Sequence, residues 1–303
     1  MINSSEYNRN FWNAMRGKNN NYEGVGAGRH SNTGSYQLPQ ESDSKYTEAL
    51  PKESIFRNIA TVMSAPRLDS TIRTFDAQDI ATWLGDGSLA AYYDGVDTFN
   101  TLTVNNHRLG TIIRLSTDFT SDAGFDIEDY LVKSFAKRIG RTEEDAFING
   151  DGQDKPIGIL GGIGGADVGT TASALTYDDV IRLYFSLKPE YRKNAVWLMN
   201  DEIALALRTL KDSAGNYLWR DSDDTILSKK VLISEYMPSV ATGAKPIVFG
   251  DFSYYWIIQR LPLTVRAMQE KYMLYQQIGY LGYEHLDAKL IRTEAIKVLQ
   301  IAE

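Results

Sequence analysis

No cysteine occurs among the 303 residues of this chain, which excludes disulfide staples, thiol nucleophiles and thiolate metal sites together. Histidine is scarce too. The three present are His30, His107 and His285; none stands in a metal-ligating pattern, so each reads as a surface or packing side chain. No apolar run approaches the ~20 residues of a membrane span, and the opening Met1-Ile-Asn-Ser-Ser-Glu-Tyr7 lacks the basic and apolar regions of a secretory signal. Basic charge is in deficit. A net charge of −7 argues against a nucleic-acid-binding surface spread over the whole protein, and leaves local basic patches open. Lysine is missing between Lys52 and Lys133, and asparagine after Asn216.

What is present is enough apolar residue, 43%, for a substantial core, and the length suits two compact units or one large one. Eighteen tyrosines and five tryptophans supply amphipathic side chains favoured both in cores and at protein interfaces.

The longest helix signal runs through Phe125–Leu160. Asp126 is an N-cap, and Glu128 and Asp129 place negative charge at the positive end of the helix dipole. Ile127, Leu131, Phe135 and Ile139, with Val132 and Ala136 beside them, make one apolar stripe. Asp129 with Lys133, and Arg141 with Asp145, are spaced to pair one turn apart. Asn149 and Gly150 are expected to end the helix in a left-handed cap. Gly150, Asp151, Gly152 and Pro156 then read as a sharp change of direction, a hinge.

Before this helix, residues 1–54 read as extended or loosely ordered, with Asn, Ser and Gly dominating Lys18 to Gly34. Two readings stand: a disordered tail, or an arm ordered by a neighbouring subunit. Tyr7, Phe11, Trp12 and Met15 fit a short sticky helix within it. An apolar run from Ser54 to Val62 opens the first packed layer. β-like stretches over Thr71 to Thr82 and Phe99 to Ser116 suggest the two arms of a long hairpin. Its tip carries Trp83, Leu84, Leu89, Tyr92 and Tyr93. Apolar side chains at a hairpin tip mark a contact surface unless the tip folds back on its own domain.

After the helix the chain alternates helix and strand. Thr176 and Asp179 form a capping box ahead of Val180, Leu183 and Leu187. Ala195–Asn200 is a buried strand, Asp201–Leu210 a helix, and Val231–Ser234 and Pro246–Gly250 are strands, so about 160–260 reads as an α/β or α+β unit. From Leu263 onward the pattern is all strand, Tyr272–Tyr275 included. Chemistry is harder to find. Gly161–Gly165 hints at a phosphate loop, but no Lys-Ser/Thr follows and Thr170-Thr171 reads as further loop, so a turn fits better. The acidic pairs Asp151 and Asp154, or Asp223 and Asp224, lie in solvated turn-like surroundings.

Asp126-Ile-Glu-Asp-Tyr-Leu131, Glu143-Glu-Asp-Ala-Phe-Ile-Asn-Gly-Asp-Gly152 and Lys155-Pro-Ile-Gly-Ile-Leu160 closely resemble the major capsid proteins of tailed bacteriophages, the Hong Kong 97-like family. The likeness continues through Val196-Trp-Leu-Met-Asn200, Leu210–Leu218, Gly250-Asp-Phe252 and Thr293–Leu299, in the family's order. It implies an α+β fold in four parts: an N-terminal arm at 1–54; an extended β-hairpin loop at 66–115; a peripheral domain from 55–65, 116–159 and 263–303, with its spine helix at 126–149; and an axial α/β domain at 160–262. It implies a non-enzymatic shell subunit of a virion, without cofactor, metal or membrane, assembled in host cytoplasm through hexamers and pentamers around double-stranded DNA. A portal and head-completion or decoration proteins are implied partners. Only about 50 residues precede the first packed layer, too few for the helical scaffolding region many members carry, so assembly is expected to use a separate scaffolding protein, a different precursor or no scaffold. Some members crosslink through a loop lysine and a peripheral-domain asparagine. Both are missing here, so a non-covalent shell is expected. The competing readings are an encapsulin-like cargo compartment and a soluble α/β enzyme using Gly161–Gly165.

Overall fold

The computed structural model describes residues 3–17, 24–30, 34–65, 71–75, 99–122, 124–219 and 224–302, with 71–75 and 99–101 as backbone. Helix α1 (Ser5–Met15) forms because Tyr7, Phe11, Trp12 and Met15 share one face, and Ser4 caps it by accepting from the Tyr7 N–H. Strand β1 (Tyr36–Gln37), helices α2 (Gln40–Glu53) and α3 (Phe56–Ile59) and strand β2 (Thr61–Ser64) follow. The expectation of an extended or loosely ordered segment is corrected for the described part of this region. Here α1, β1 and α2 pack on their own chain. Tyr7 Oη donates to Gln37 O at 2.7 Å, Trp12 Nε1 to Ser42 Oγ at 3.2 Å, and Tyr280 Oη to Met15 O at 2.9 Å. The cause is apolar area: Phe11, Met15, Tyr46 and Leu50 are all buried, and each such side chain contributes about 1.5–3 kcal/mol.

Strands β3 (Thr71–Phe75) and β4 (Phe99–Thr103) pair antiparallel, Thr71 opposite Thr103 and Phe75 opposite Phe99, in a ribbon belonging to neither larger sheet. The loop-tip residues Trp83, Leu84, Leu89, Tyr92 and Tyr93 lie outside the described residues. Strand β5 (His107–Ser116), expected to be part of the loop's second arm, instead pairs along its whole length with the second strand of the long C-terminal hairpin. Helix α4 (Thr117–Ser121) leads into α5 (Ile127–Asn149), the spine helix.

Beyond the spine come β6 (Asp167–Ala172), α6 (Tyr177–Ser186), α7 (Pro189–Arg192), β7 (Val196–Met199), α8 (Asp201–Arg208), β8 (Thr225–Ile226), β9 (Lys229–Ile233) and β10 (Ile247–Gly250). Thr176 caps α6 as expected by accepting from the Asp179 N–H, but the box is not reciprocal: the Asp179 carboxylate accepts from the Thr176 hydroxyl, not from its backbone N–H. Thr170 and Thr171 are not loop; they pair with the last strand. The chain closes with β11 (Tyr255–Met268), α9 (Gln269–Tyr272), β12 (Gln277–Leu290) and β13 (Ile296–Ile301). Tyr272–Tyr275, expected as strand, is a helical turn, because the hairpin must reverse there. Gln276 completes it at φ 51°, and Met273, Leu274 and Tyr275 stand exposed.

One sheet has the order β1-β11-β12-β5, with β2 added in parallel to β11; the other runs β6-β13-β10-β7-β9-β8. Two boundaries read from the sequence therefore move. Strand β11 enters the five-stranded sheet from Tyr255, and β13 leaves the hairpin to join the six-stranded sheet between β6 and β10. One core lies between the five-stranded sheet and α1, α2 and α5, and a second is enclosed by the six-stranded sheet with α6 and α8. A third joins them. Phe56, Phe147, Phe252 and Tyr255 meet at ring separations of 5.3–5.8 Å, edge-on except for the tilted pair Phe56 and Phe147.

Candidate functional site

The third core surrounds the C-terminal end of the spine helix, and the polar groups of the molecule converge there. Asp126 caps α5 by accepting from the Asp129 N–H at 3.1 Å, and Lys133 pairs with Asp129 at 2.8 Å. Ile127, Leu131, Phe135 and Ile139 are each 1% exposed. Arg141 does not pair with Asp145: its Nε lies 3.6 Å from a Glu53 carboxylate oxygen on α2, and Asp145 accepts from Asn149. Gly140 sits where α2 crosses, and a Cβ there would stand 3.0 Å from Glu53 Cβ.

The exit turn is closed rather than loose. Gly150 is extended, at φ −63° and ψ 143°, not left-handed; the left-handed residue is Gly152, at φ +81°. Glycine is needed at 150 for space, because a Cβ would meet Pro156 O at 1.9 Å. The chain turns through Asp151–Ile157 and runs back against the helix end. Gly158 N–H donates to Gly150 O at 3.0 Å, Ile159 N–H to Phe147 O at 2.8 Å and Leu160 N–H to Ile148 O at 3.0 Å. The returning segment Gly158–Leu160 thus satisfies carbonyls that a helix end leaves orphaned. Pro156 is buried, and Tyr255 Oη fixes Ile157 O at 2.8 Å. Asp151 is exposed and accepts from Gln153 N–H. The four residues read as a hinge form a braced joint.

Two adjacent glutamates of the spine are buried here, Glu143 at 1% and Glu144 at 4% exposure. Arg57 of α3 donates to Glu143 through Nε and Nη2. Its Nη2 also lies 3.8 Å from Glu284 of β12, whose other oxygen accepts from Tyr46 Oη at 3.1 Å. Two carboxyls thus face one guanidinium in a dry site. Burial, and then the charge of Glu143, hold the Glu284 carboxyl well above the usual carboxylate range. Glu144 turns the other way, accepting from Ile55 N–H at 2.5 Å and from Ser234 Oγ at 2.6 Å, and burial raises its pKa as well. The pair joins α2, α3, β12 and the end of β9 to one turn of the spine.

A second polar group holds the base of the β3–β4 ribbon. Asn105 N–H donates to the buried Asp287 at 2.6 Å, Lys289 reaches Thr103 O, and His285 Nδ1 meets Asn106 Oδ1 at 3.0 Å. His107, 9% exposed, lies 3.6 Å from Asp287. These residues hold parts of the chain together at the foot of the ribbon. Gly161–Gly165 is a tight turn: Gly161 N–H donates to Gly158 O, Ala166 N–H to Ile159 O, and the chain continues into β6 instead of opening a helix. Asp154 is exposed, and Asp224 pairs with Arg208, while Asp223 lies outside the described residues.

Sequence reading missed Arg57, Glu143, Glu144 and Glu284. A signal existed for the glutamates. The row 127, 131, 135, 139 continues at the same spacing to Glu143 and Phe147, and the row 132, 136, 140 continues to Glu144 and Ile148, all of them buried. Nothing local marks Arg57 or Glu284.

The phage capsid family matches residues 34–301. Among solved structures, the capsid of a native GTA particle computed with C5 symmetry is 29% identical, covering 82% of this chain and 90% of that chain, at TM-score 0.65. The capsid of the empty GTA particle is likewise 29% identical over the same shares, at 0.64. A chain of Microbacterium phage Oxtober96 shares the fold at 13% identity and TM-score 0.62, over 82% of this chain and 91% of that one. A search of curated proteins gives no match.

Proposed function

The chain belongs to the phage capsid family: it is a major capsid protein, a self-assembling component of a virion shell, and we propose that its hexamers and pentamers close that shell around double-stranded DNA without covalent crosslinks. The observation that carries this reading is the likeness to the GTA capsid over 82% of this chain. A closed shell needs an interface that returns on itself through rotational symmetry, and the β3–β4 ribbon, which among the described residues joins neither larger sheet, is suited to reach beyond its own subunit.

The division of labour follows from the two sheets. We assign the peripheral role to the five-stranded sheet with α1, α2 and α5, and the axial role to the six-stranded sheet with α6 and α8. The extended loop is then bounded by β3 and β4, and the aromatic residues Trp83, Tyr92 and Tyr93 contact a neighbouring subunit. Gly150–Pro156 is the joint between the two units. Because no lysine lies between Lys52 and Lys133 and no asparagine after Asn216, the reactants of an isopeptide crosslink are missing from the loop and the C-terminal region. The role is architectural, not catalytic. A separate scaffolding protein, a portal and head-completion or decoration proteins complete the expected set of partners, with assembly in the host cytoplasm.

Electron microscopy of the purified protein tests the proposal. Shells or capsomers are expected, with nucleic-acid absorbance in native particles and one band near 34.0 kDa on denaturing electrophoresis. A ladder of bands would overturn the non-covalent shell. Shells with protein cargo and no nucleic acid would point to a compartment of the encapsulin kind, and a stable monomer would sink both.

A further inference from the structure

The end of the long β11–β12 hairpin carries different chemistry on its two sides. Strands β1, β11, β12 and β5 lie side by side, so the outer edges stand three strand spacings, about 14 Å, apart. On the β1–β11 side a cleft of about 640 Å³ opens between α9 and the segment in which Arg29 bridges to Tyr36. Tyr36, Ala267 and Met268 supply its apolar part, and Arg29 and Lys271 stand exposed beside them. Arg266 lines the cleft too. Among the described residues, these three cations face a single carboxylate, Glu270. In a chain of net charge −7, that is a local excess of positive charge over an apolar floor.

The β5 side ends in α4, and its charge is the opposite. The Thr117 N–H donates to Gln276 O at 2.9 Å, which fastens the start of α4 to the hairpin turn. Arg16 fastens the other end, donating to Asp122 O at 3.1 Å and to Phe125 O at 2.8 Å. Asp118 and Asp122, four positions apart, stack on one side of this turn of helix, and Phe119 stands next to them. All three are exposed, Phe119 by 56%. Met273, Leu274 and Tyr275, 70–92% exposed, extend the apolar surface along the hairpin turn. Apolar side chains gathered on a surface and rimmed by charge mark a place where proteins meet.

We propose that α4 of one copy of this chain docks in the cleft of a second copy, with Phe119 seated on Tyr36 and Met268 and with Asp118 and Asp122 against Arg29 and Lys271. The inference rests on the reading of the protein as a shell subunit and adds one of the surfaces through which copies meet. The two surfaces cannot meet within one chain. Thr117 and Arg16 hold α4 at the β5 edge, and the width of the sheet separates it from the cleft. Because knob and cleft are different surfaces, the contact is heterologous: repeated from copy to copy, it closes about a rotation axis or runs on as an open filament. A shell takes the first course. The aromatic ring, desolvated in the cleft, is the anchor of the contact. The charges around it choose the partner and fix the register, and they make the contact weaker in high salt.

Two measurements test it. The chain has no cysteine, so introduced thiols report on this contact alone. Asp118→Cys with Lys271→Cys, treated with a short bis-maleimide, should give linked dimers and higher oligomers from assembled particles, and one unshifted band from unassembled subunits. Particles that give no linked species overturn the contact and leave the shell reading intact. Linkage by either single-cysteine variant would mean that like surfaces meet, and overturns the head-to-tail arrangement. Charge exchange is the second measurement. Asp118→Lys with Asp122→Lys, and separately Arg29→Glu with Lys271→Glu, should each lower the particle yield at least several-fold in sedimentation, with an unchanged melting temperature. All four substitutions in one chain restore complementarity and should recover the yield. Loss in both pairs without recovery, or loss in neither, refutes the contact. A wild-type chain that forms no particles at all refutes the shell reading, and this inference with it.

Discussion

Arg57 and Glu143, 86 residues apart, face each other as a two-point ion pair with side chains 6% and 0% exposed. The guanidinium is the cation between two buried carboxyls, so removing it strands negative charge in a dry site. Arg57→Met should cost about 3–5 kcal/mol, measured by urea unfolding of the unassembled subunit. A loss below about 1 kcal/mol would show that water reaches the cluster.

Glu284 gives this cluster a pH dependence. In an unfolded chain its carboxyl ionises near the ordinary 4.5, whereas burial and Glu143 keep it protonated to a higher pH in the fold. Its contribution to stability is complete below the ordinary value and is lost as pH rises toward the folded one. Wild-type melting temperature should therefore fall between pH 5 and pH 8 more steeply than that of Glu284→Gln, which keeps the shape and removes the titration. Some slope should survive in the variant, because burial raises Glu144 in the same direction. Parallel profiles would rule Glu284 out as the source.

The exit turn makes a prediction with an internal control. A Cβ at Gly158 would lie 2.4 Å from Ile148 O, while one at Gly162 would meet nothing within 4 Å. Gly158→Ala should destabilise by about 1–3 kcal/mol or more. Gly162→Ala, four residues on, should be neutral or stabilising by up to about 1 kcal/mol. Thermal melts of the two variants decide it, and equal effects would mean that the segment Gly158–Leu160 does not hold the helix end.

The loop tip is tested through assembly. Trp83→Ser with Tyr92→Ser should leave a folded subunit with an unchanged melting temperature and lower the yield of particles at least several-fold. Particle yield by sedimentation is the readout. Unchanged yield and particle stability would mean that these side chains make no contact between subunits.

Several elements were legible because their causes are local. The spine helix announces itself through the Asp126 cap and the 127-131-135-139 row, and α6 through Thr176 and Asp179. The short helix over Tyr7–Met15 was legible in the same way, although what covers it was not. Of the residues singled out, the spine-helix row Ile127, Leu131, Phe135 and Ile139 is buried, and the loop-tip contact residues lie outside the described residues.

The sequence alone determined many of the stretches that become helix and strand, and through its motifs the family. It did not determine α2, the β6 pairing of Thr170 and Thr171 or the turn at Tyr272–Tyr275. Caps, periodicity and turn residues act within a few positions of one another, so one stretch of chain suffices to read them. Tertiary structure decided partners. β5 reads like a loop arm until β12 pairs with it, β13 looks like the end of the hairpin until it inserts beside β10, and Gly150 looks like a cap until Pro156 returns against it. The same holds for charge. Glu143 and Glu284 are buried because Arg57 arrives from another element, and Arg29 and Lys271 line one cleft because β1 pairs beside the end of β11. Burial and electrostatics depend on neighbours in space, and these can lie far apart in sequence, as Tyr46 and Glu284 do at 238 positions.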